Sequence, residues 1–307
     1  MKSLVLAAAA AFAGVAVAAE PPVLWHTQVD NDFFFNTDRW YSSSVRIYRG
    51  TPLAAEAPLA GLLRAPSVRT QRLDFGIIQD VYTADGRADP ALPDRPNAAR
   101  LLLSAARHDI APDLLVTLGI DAGVSGPSAL GEEVQDFFHR LFPAPKTDWS
   151  RQLGDRADVQ VSGAWSQQIG AGPLPGALVL HGGAVLGTIT TFAHAGIEWR
   201  SSTPAHAANP LLRFAATPPL DRGTRGLTYF VGASARVVGR NRLFDRKSDD
   251  PTPPVAYERN VGRVAAGISW SDTWGVATLG LAHDSREFAG QHSPHRFGSL
   301  TLAIPFD

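Results

Sequence analysis

The stretch Leu114-Leu115-Val116-Thr117-Leu118-Gly119-Ile120-Asp121-Ala122-Gly123-Val124 decides the fold. In an extended chain successive side chains point to opposite faces. Leu114, Val116, Leu118, Ile120, Ala122 and Val124 therefore share one face, with Thr117, Gly119, Asp121 and Gly123 on the other. The pattern recurs in Leu227–Val238, where Leu227, Tyr229, Val231, Ala233, Ala235 and Val237 oppose Thr228, Gly232, Ser234 and Arg236. It recurs again in Val159–Ile169, Val264–Trp270 and Leu300–Phe306. Any half-buried antiparallel strand alternates in this way, so a soluble β-sandwich is the alternative to be displaced. Two details displace it. The second face is polar, small or charged in strand after strand, as a wet lumen requires. Aromatics such as Trp25, Trp40, Tyr82, Trp199, Trp270 and Trp274 fall near strand ends, where interfacial girdles sit.

Outward from that stretch, strands are expected near 23–34, 40–49, 71–83, 97–109, 113–125, 156–169, 175–187, 190–201, 226–239, 257–271, 274–286 and 296–306. Twelve is an even number, as single-chain bacterial barrels have. The predicted fold is an all-β, antiparallel transmembrane outer-membrane β-barrel with a short helix in one extracellular loop. The N-terminus fits export. Lys2 precedes an apolar, Ala-rich run from Leu4 to Val17, with small residues at Ala16, Ala18 and Ala19. That reads as a cleaved signal peptide over 1–19, leaving one barrel domain over 20–307. The chain has no Cys, which removes disulfides and thiolate metal sites, and a net charge of -1, which gives no reason to expect nucleic acid. No later apolar run reaches 18 residues, so spanning helices are not available.

One helix is expected between the fifth and sixth strands, over Gly131 to Phe142. Ser128 is a candidate cap, Glu132 and Glu133 suit the positive end, and Leu130, Val134, Phe137 and Leu141 can form an apolar face. Glu132, Gln135 and His139 share another side through their spacing of three and four. Strand parity then gathers a polar set. With the N-terminus periplasmic, Asp30-Asn31-Asp32, Tyr41-Ser42, Gln79-Asp80 and the helix bearing His139 all lie at the extracellular rim. In-strand phase, without a bulge, points Asp32, Ser42, Arg46 and Asp80 into the lumen.

A His beside carboxylates and amide oxygens can take a proton from water, and oxygen ligands favour Ca²⁺ or Mg²⁺ over zinc. A rim network that merely orders loops is the plainer alternative. A Ser42–His139 nucleophile pair is another, although no G-x-S-x-G elbow surrounds a Ser. Arg46 and Arg95 either neutralise rim acids or hold phosphate.

Several blocks resemble the lipid A 3-O-deacylase family of outer-membrane barrels. They are Val29-Asp30-Asn31-Asp32-Phe33, Asn36-Thr37-Asp38-Arg39, Tyr41-Ser42, Gln79-Asp80-Val81-Tyr82-Thr83 and Asp94-Arg95-Pro96. Gly126-Pro127, Gly131 through Gln135, His139-Arg140, Trp149, Gln152-Leu153, Arg286-Glu287-Phe288 and Arg296-Phe297-Gly298-Ser299 continue the order. The resemblance implies a twelve-stranded barrel that removes the ester-linked 3-position acyl chain of lipid A in a calcium-dependent reaction. It implies His139 as base and Asn31 with Asp32 as the pair serving metal and oxyanion. Ser42 stands where Thr is usual. Gln135 is expected to orient base or water, with Asp80, Arg46 and Arg95 as substrate or supporting residues. The sequence departs from the family at Asn97-Ala98-Ala99, at Ser44 and at Pro145, and Arg87 is the one candidate for a lysine used by some members. A catalytically silent or channel-forming barrel and a phospholipase-type barrel are the competing functions. Lipopolysaccharide in the outer leaflet is the expected partner, and the oligomeric state is left open.

Overall fold

The computed structural model describes residues 23–57, 70–85, 94–141, 146–171, 175–201, 209–214, 225–245 and 255–306, with short pieces at 60–61 and 67–68. The expected signal peptide over 1–19, Arg87 and Pro145 lie outside the described residues. Twelve antiparallel strands close into a single barrel. They are β1 Val23–Asn31, β2 Trp40–Pro52, β3 Thr70–Thr83, β4 Ala98–Ile110, β5 Leu114–Ser125 and β6 Arg156–Ala171, followed by β7 Ala177–Gly187, β8 Thr190–Arg200, β9 Gly226–Asn241, β10 Asn260–Asp272, β11 Gly275–Asp284 and β12 His295–Phe306. β12 closes on β1 in a register running from Val23 opposite Phe306 to Asn31 opposite Gly298. Closure satisfies every edge, which a strand in lipid needs.

The sheet is inverted relative to a soluble protein. Ile120, Val161, Leu186, Val231, Val237 and Val264 are exposed on the outer face, whereas Asp121, Asp158, His181, Glu198 and Ser234 are buried inside. Register shifts also occur at Gln168/Gly170 and at Thr191/Phe192, and two departures from expectation bear on the site. β1 was expected to reach residue 34, but it stops at Asn31 and turns into a 3-10 turn, Asp32–Phe35. β2 carries a bulge between Tyr41 and Ser43. Trp40, just before it, sits in the left-handed region at φ 62. Burial of its ring against Phe244, Val255 and Phe288 holds that strained backbone.

The lumen is filled. Between β8 and β9 the described residues Asn209–Phe214 turn into the barrel from the end that carries both termini. Leu211 and Leu212 pack on Phe230, Ala265, Ala282 and Phe297, with Tyr41 above them. The Asn209 amide donates to Glu198 Oε2 at 2.6 Å, and Arg263 Nη1 donates to the Leu211 carbonyl at 2.9 Å. The opposite rim is covered by two apolar clusters, one around Trp40 and Phe288 and one around Ala98, Leu153, Ile189 and Leu243.

Candidate active site

The bulge settles which side of the wall the site occupies. Along β1, Leu24, His26, Gln28 and Asp30 are buried inside, so Asn31 continues the outer row of Trp25, Thr27 and Val29. On β2 the extra residue at the bulge lets two successive serines, Ser42 and Ser43, face outward together, while Tyr41 and Ser44 face in. The hydrogen bonds agree. Ser42 Oγ pairs with Thr83 Oγ1, an outer-row residue of β3, while Tyr41 donates to Asp30 Oδ2 at 2.8 Å and Ser44 to Asp80 Oδ1 at 2.7 Å on the lumen side. The expected lumen phase of Asp32 and Ser42 is thus corrected. Asp80 and Arg46 do face the lumen, where Arg46 contacts Asp30 at 3.2 Å and Asp80 at 3.5 Å. Arg95 joins them from a rim loop, between the rings of Tyr82 and Phe244. These three stand behind the wall from the pocket.

The one α-helix among the described residues, α1 Gly131–Leu141, lies against the outside of that wall. Two sequence expectations about it are corrected. Ser128 does not cap it, because its amide and hydroxyl both donate to Asp155, at 2.8 Å each. The helix also packs by its polar side. Gly131 and Gln135 are buried against the barrel, and Leu130, Phe137 and Leu141 point away, each about half-exposed. An apolar face offered to a hydrocarbon-level surroundings costs nothing there, which frees the polar face to build a site. Gln79 Nε2, from the outer row of β3, donates to the Ala129 carbonyl at 2.8 Å and pins the approach to the helix.

Gly131 makes the seat possible. A Cβ there would lie 2.5 Å from the Ala99 Cβ and 2.7 Å from the Trp149 ring. The departure at Asn97-Ala98-Ala99 is therefore part of the seat. Ala99 leaves room under Gly131, and Asn97 ties three loops through Ala84 N (2.7 Å), the Asp148 carbonyl (2.7 Å) and Leu153 N (2.9 Å). Gly131→Val overpacks this contact by about 1–3 kcal/mol. It is expected to lower turnover more than about tenfold while the barrel still folds, with Gly131→Ala between; steady-state rates beside a heat-modifiability gel check this.

The pocket between helix and wall, about 40 Å³, is lined by Asn31, Asp32, Thr37, Asp38, Ser42 and Ser43 from the wall and its loop, and by Gln135, Phe138 and His139 from the helix. Sequence reasoning brought together Asn31, Asp32, Ser42, Gln135 and His139, and the fold does place all five here. It missed Asp38. His139 Nε2 lies 3.1 Å from Asp38 Oδ2. Gln135 Nε2 donates to the same carboxylate at 2.9 and 3.1 Å, while its Oε1 accepts from Trp149 Nε1 at 2.9 Å. Because an indole N–H can only donate, Trp149 fixes the Gln135 amide with its NH₂ toward Asp38. Asp38 thus stands beside the His139 ring, where its charge favours an imidazolium. The available signal was position alone: an acid six residues beyond Asp32, in a block already marked by its resemblance.

Asp32 is the electrostatic outlier. It is 1% exposed, and burial pushes its carboxyl up to about 8, with the nearby Asp38 charge adding to the rise. A hydrogen bond from the Arg39 amide at 2.9 Å offsets little of this. The Arg39 guanidinium is turned away onto Asp85 and His292. Asn31 Oδ1 accepts from Phe33 N at 2.7 Å and orients its amide at the pocket edge. A buried, uncompensated carboxylate surrounded by amide and hydroxyl oxygens is a donor set that suits a hard divalent cation.

The chain matches the family of the outer membrane protein LpxR over residues 3–306. It belongs to that family. The motif blocks pointed there, and the barrel is accordingly an outer-membrane one. Among solved structures, LpxR from Salmonella typhimurium aligns with a TM-score of 0.73 at 21% identity, covering 92% of this chain and all of that one. The translocator domain of the autotransporter NalP from Neisseria meningitidis aligns at a TM-score of 0.44 and 11% identity, over 99% of this chain and 97% of that one. No curated protein sequence matches the chain.

Proposed function

We propose that the protein is a lipid A deacylase that hydrolyses the ester-linked acyl chain at the 3-position, with His139 as general base. The observation that carries this reading is the position of the His139–Asp38 pair. It lies outside the barrel wall, at the rim, beside a buried Asp32 and in a pocket also lined by Phe33 and Phe138. An acyl chain can enter such a site sideways from the outer leaflet, with its ester level with the imidazole.

In this reading Trp149 and Gln135 orient Asp38, Asp38 orients the imidazole, and the neutral ring takes a proton from water as the oxygen attacks the ester carbonyl carbon. The tetrahedral carbon collapses by releasing the sugar oxygen, which takes that proton from the imidazolium, and the acyl chain leaves as a carboxylic acid that ionises in water. Asp38 stabilises the transient imidazolium. Asn31 and Asp32 would hold Ca²⁺, which supplies positive charge for the developing oxyanion. Ser42, tied to Thr83, supports the pocket floor. The Ser42–His139 nucleophile reading has no hydrogen bond behind it among the described residues. Asp80, Arg46 and Arg95 support the wall from the lumen side.

Mass spectrometry of lipid A and phospholipids from cells expressing the wild type or His139→Ala, with and without a calcium chelator, tests the assignment. Loss of the 3-position chain from lipid A only in the untreated wild type is the expected result. Unchanged lipid A sinks it, and free fatty acid from glycerophospholipids would assign a phospholipase instead. The channel-forming alternative is tested in planar bilayers. With Asn209–Phe214 packed into the lumen, no stable conductance steps are expected.

A further inference from the structure

The extracellular rim carries a second cavity, about 110 Å³, next to the esterase pocket. Thr37 lines both. The other lining residues are Phe35, Arg39, Ser293, Pro294, His295 and Arg296, which include two arginines and no carboxylate. Strand register fixes where the cavity stands. On β12 the exposed residues Arg296, Leu300, Leu302 and Ile304 share the outer row with Gly298. Gly298 is the partner of Asn31, so Arg296 lies two residues outward of the pocket's edge, about 7 Å along the strand. Its cross-strand neighbour is His283, above Leu281 and Leu279 on β11. The apolar belt therefore ends at Leu281 and Leu300, and Arg296 begins the polar level above it. Phe34 fills the space between, because a Cβ added at Gly298 would lie 2.5 Å from its ring.

The two arginines differ in how their charge is met. Arg39 stacks on the Trp40 ring at 4.3 Å and donates to Asp85 at 2.5 Å, to His292 Nε2 at 3.1 Å and to Ser293 Oγ at 3.3 Å. Asp85 thus balances it. Arg296 makes no hydrogen bond and no ion pair among the described residues. Its guanidinium rests over the Phe35 ring at 5.5 Å, a contact that positions the charge without neutralising it. Acids on the neighbouring elements are committed elsewhere. Asp38 is held by Gln135 and His139, Asp284 by Arg263, and Glu287 by Arg236.

A free guanidinium in bulk water needs no explanation. At the headgroup level of a membrane it meets anionic lipid, and basic pockets at that level hold headgroup phosphates. The partner of Asn31 lies on the same strand as Arg296, so a lipid whose ester lies beside Asn31 and His139 has its polar head at the height of Arg296. Guanidinium forks match phosphate oxygens. The Ser293 hydroxyl, which accepts from Arg39, lines the same cavity and keeps its own O–H to give. We propose that this rim cavity binds a phosphate group of the lipid whose ester enters the pocket, with Arg296 as its principal partner and Arg39 and Ser293 beside it. The inference rests on the deacylase reading for its choice of lipid, and it makes Arg296 the residue that selects phosphorylated lipid A.

The test reads binding apart from hydrolysis. The full barrel carrying His139→Ala, in maltoside micelles with a calcium chelator to remove ion bridging, is titrated calorimetrically. The probes are lipid A, lipid A stripped of its phosphates by a phosphatase, and phosphatidic acid. Lipid A is expected to bind at least about tenfold more tightly than its dephosphorylated form, the worth of one charge-assisted hydrogen-bonded pair. Adding Arg296→Gln should erase that ratio and leave the affinity for dephosphorylated lipid A unchanged. Arg296→Lys should keep part of the ratio, and raised salt should shrink it. Arg296 is exposed, so both variants should fold, which heat-modifiable migration checks. Phosphatidic acid binding as tightly as lipid A, with the same loss in Arg296→Gln, supports the phosphate site and assigns it to glycerolipids. No saturable binding, equal affinity for both lipid A forms, or a preference that survives Arg296→Gln overturns it. Rates with His139 intact separate the two readings. A phosphate preference in binding without release of the 3-position chain removes the deacylase assignment alone. Deacylation at equal kcat/KM on both lipid A forms, with no binding preference, removes the phosphate site alone.

Discussion

His139→Ala is expected to lower kcat on lipid A by about 10²- to 10⁴-fold, the usual contribution of a positioned general base. The barrel should be untouched, because His139 sits on a helix outside the closed sheet and its one charged partner among the described residues is a loop acid, Asp38. Heat-modifiable migration on gels would verify that. The partner residues sharpen the test. Asp38→Asn leaves the ring without a carboxylate to orient it or to stabilise the imidazolium, so it should cost a large part of the same factor. Gln135→Ala, one step removed, should cost less. Because these groups act as one unit, His139→Ala combined with Asp38→Asn should cost little more than His139→Ala alone. Ser42→Ala, by contrast, breaks the tie to Thr83 and is expected to reduce the rate without abolishing it. A Ser42→Ala variant as dead as His139→Ala would restore the nucleophile reading. A His139→Ala variant with undiminished turnover would remove the general base altogether.

The second large effect concerns Asp32 and the proposed calcium ion. With its carboxyl pushed up to about 8 by burial, a cation must displace a proton below that pH. The half-saturating calcium concentration for activity should therefore rise about tenfold for each unit of pH below about 8, and flatten above it. Between pH 8 and pH 6 the difference is about a hundredfold. Titrations of activity against free calcium at four or five pH values check this. Asp32→Asn should abolish the slope and raise the calcium requirement by orders of magnitude. A requirement constant from pH 6 to 8 would separate Asp32 from the cation. Stability follows the same linkage. The folded carboxyl titrates above its ordinary value of 3.8, so its contribution is full below about 3.8. That contribution is lost as pH rises through about 8 in chelator, and calcium should restore it.

Much of the molecule was legible in the chain. The alternation in β5 and β9, repeated in β6, β10 and β12, determined a closed barrel, because a strand whose apolar face must meet lipid and whose other face is polar has no other way to satisfy its backbone. Strand parity then brought Asn31, Ser42 and His139 to one rim, since each pair of strands returns the chain to the same end. The resemblance added a substrate, which periodicity has no means of encoding.

The side of the wall was a different matter. One extra residue at Tyr41–Ser43 reverses the phase of everything before it on β2, and nothing in Tyr41-Ser42-Ser43-Ser44 announces the insertion. The helix was misjudged for a related reason. Its apolar stripe suggested a face to bury, but in lipid surroundings that stripe belongs outside, and Gly131 and Gln135 turn inward instead. The meeting of Asp38 with His139 joins residues more than a hundred positions apart, which only the folded chain brings within a few ångströms. Sequence by itself determined the barrel and the rim on which the polar residues gather, because both follow from local period and chain direction. Tertiary structure alone decided that the pocket lies outside the wall and that Asp38 stands beside His139, because a bulge and a docked helix are set by packing between distant segments.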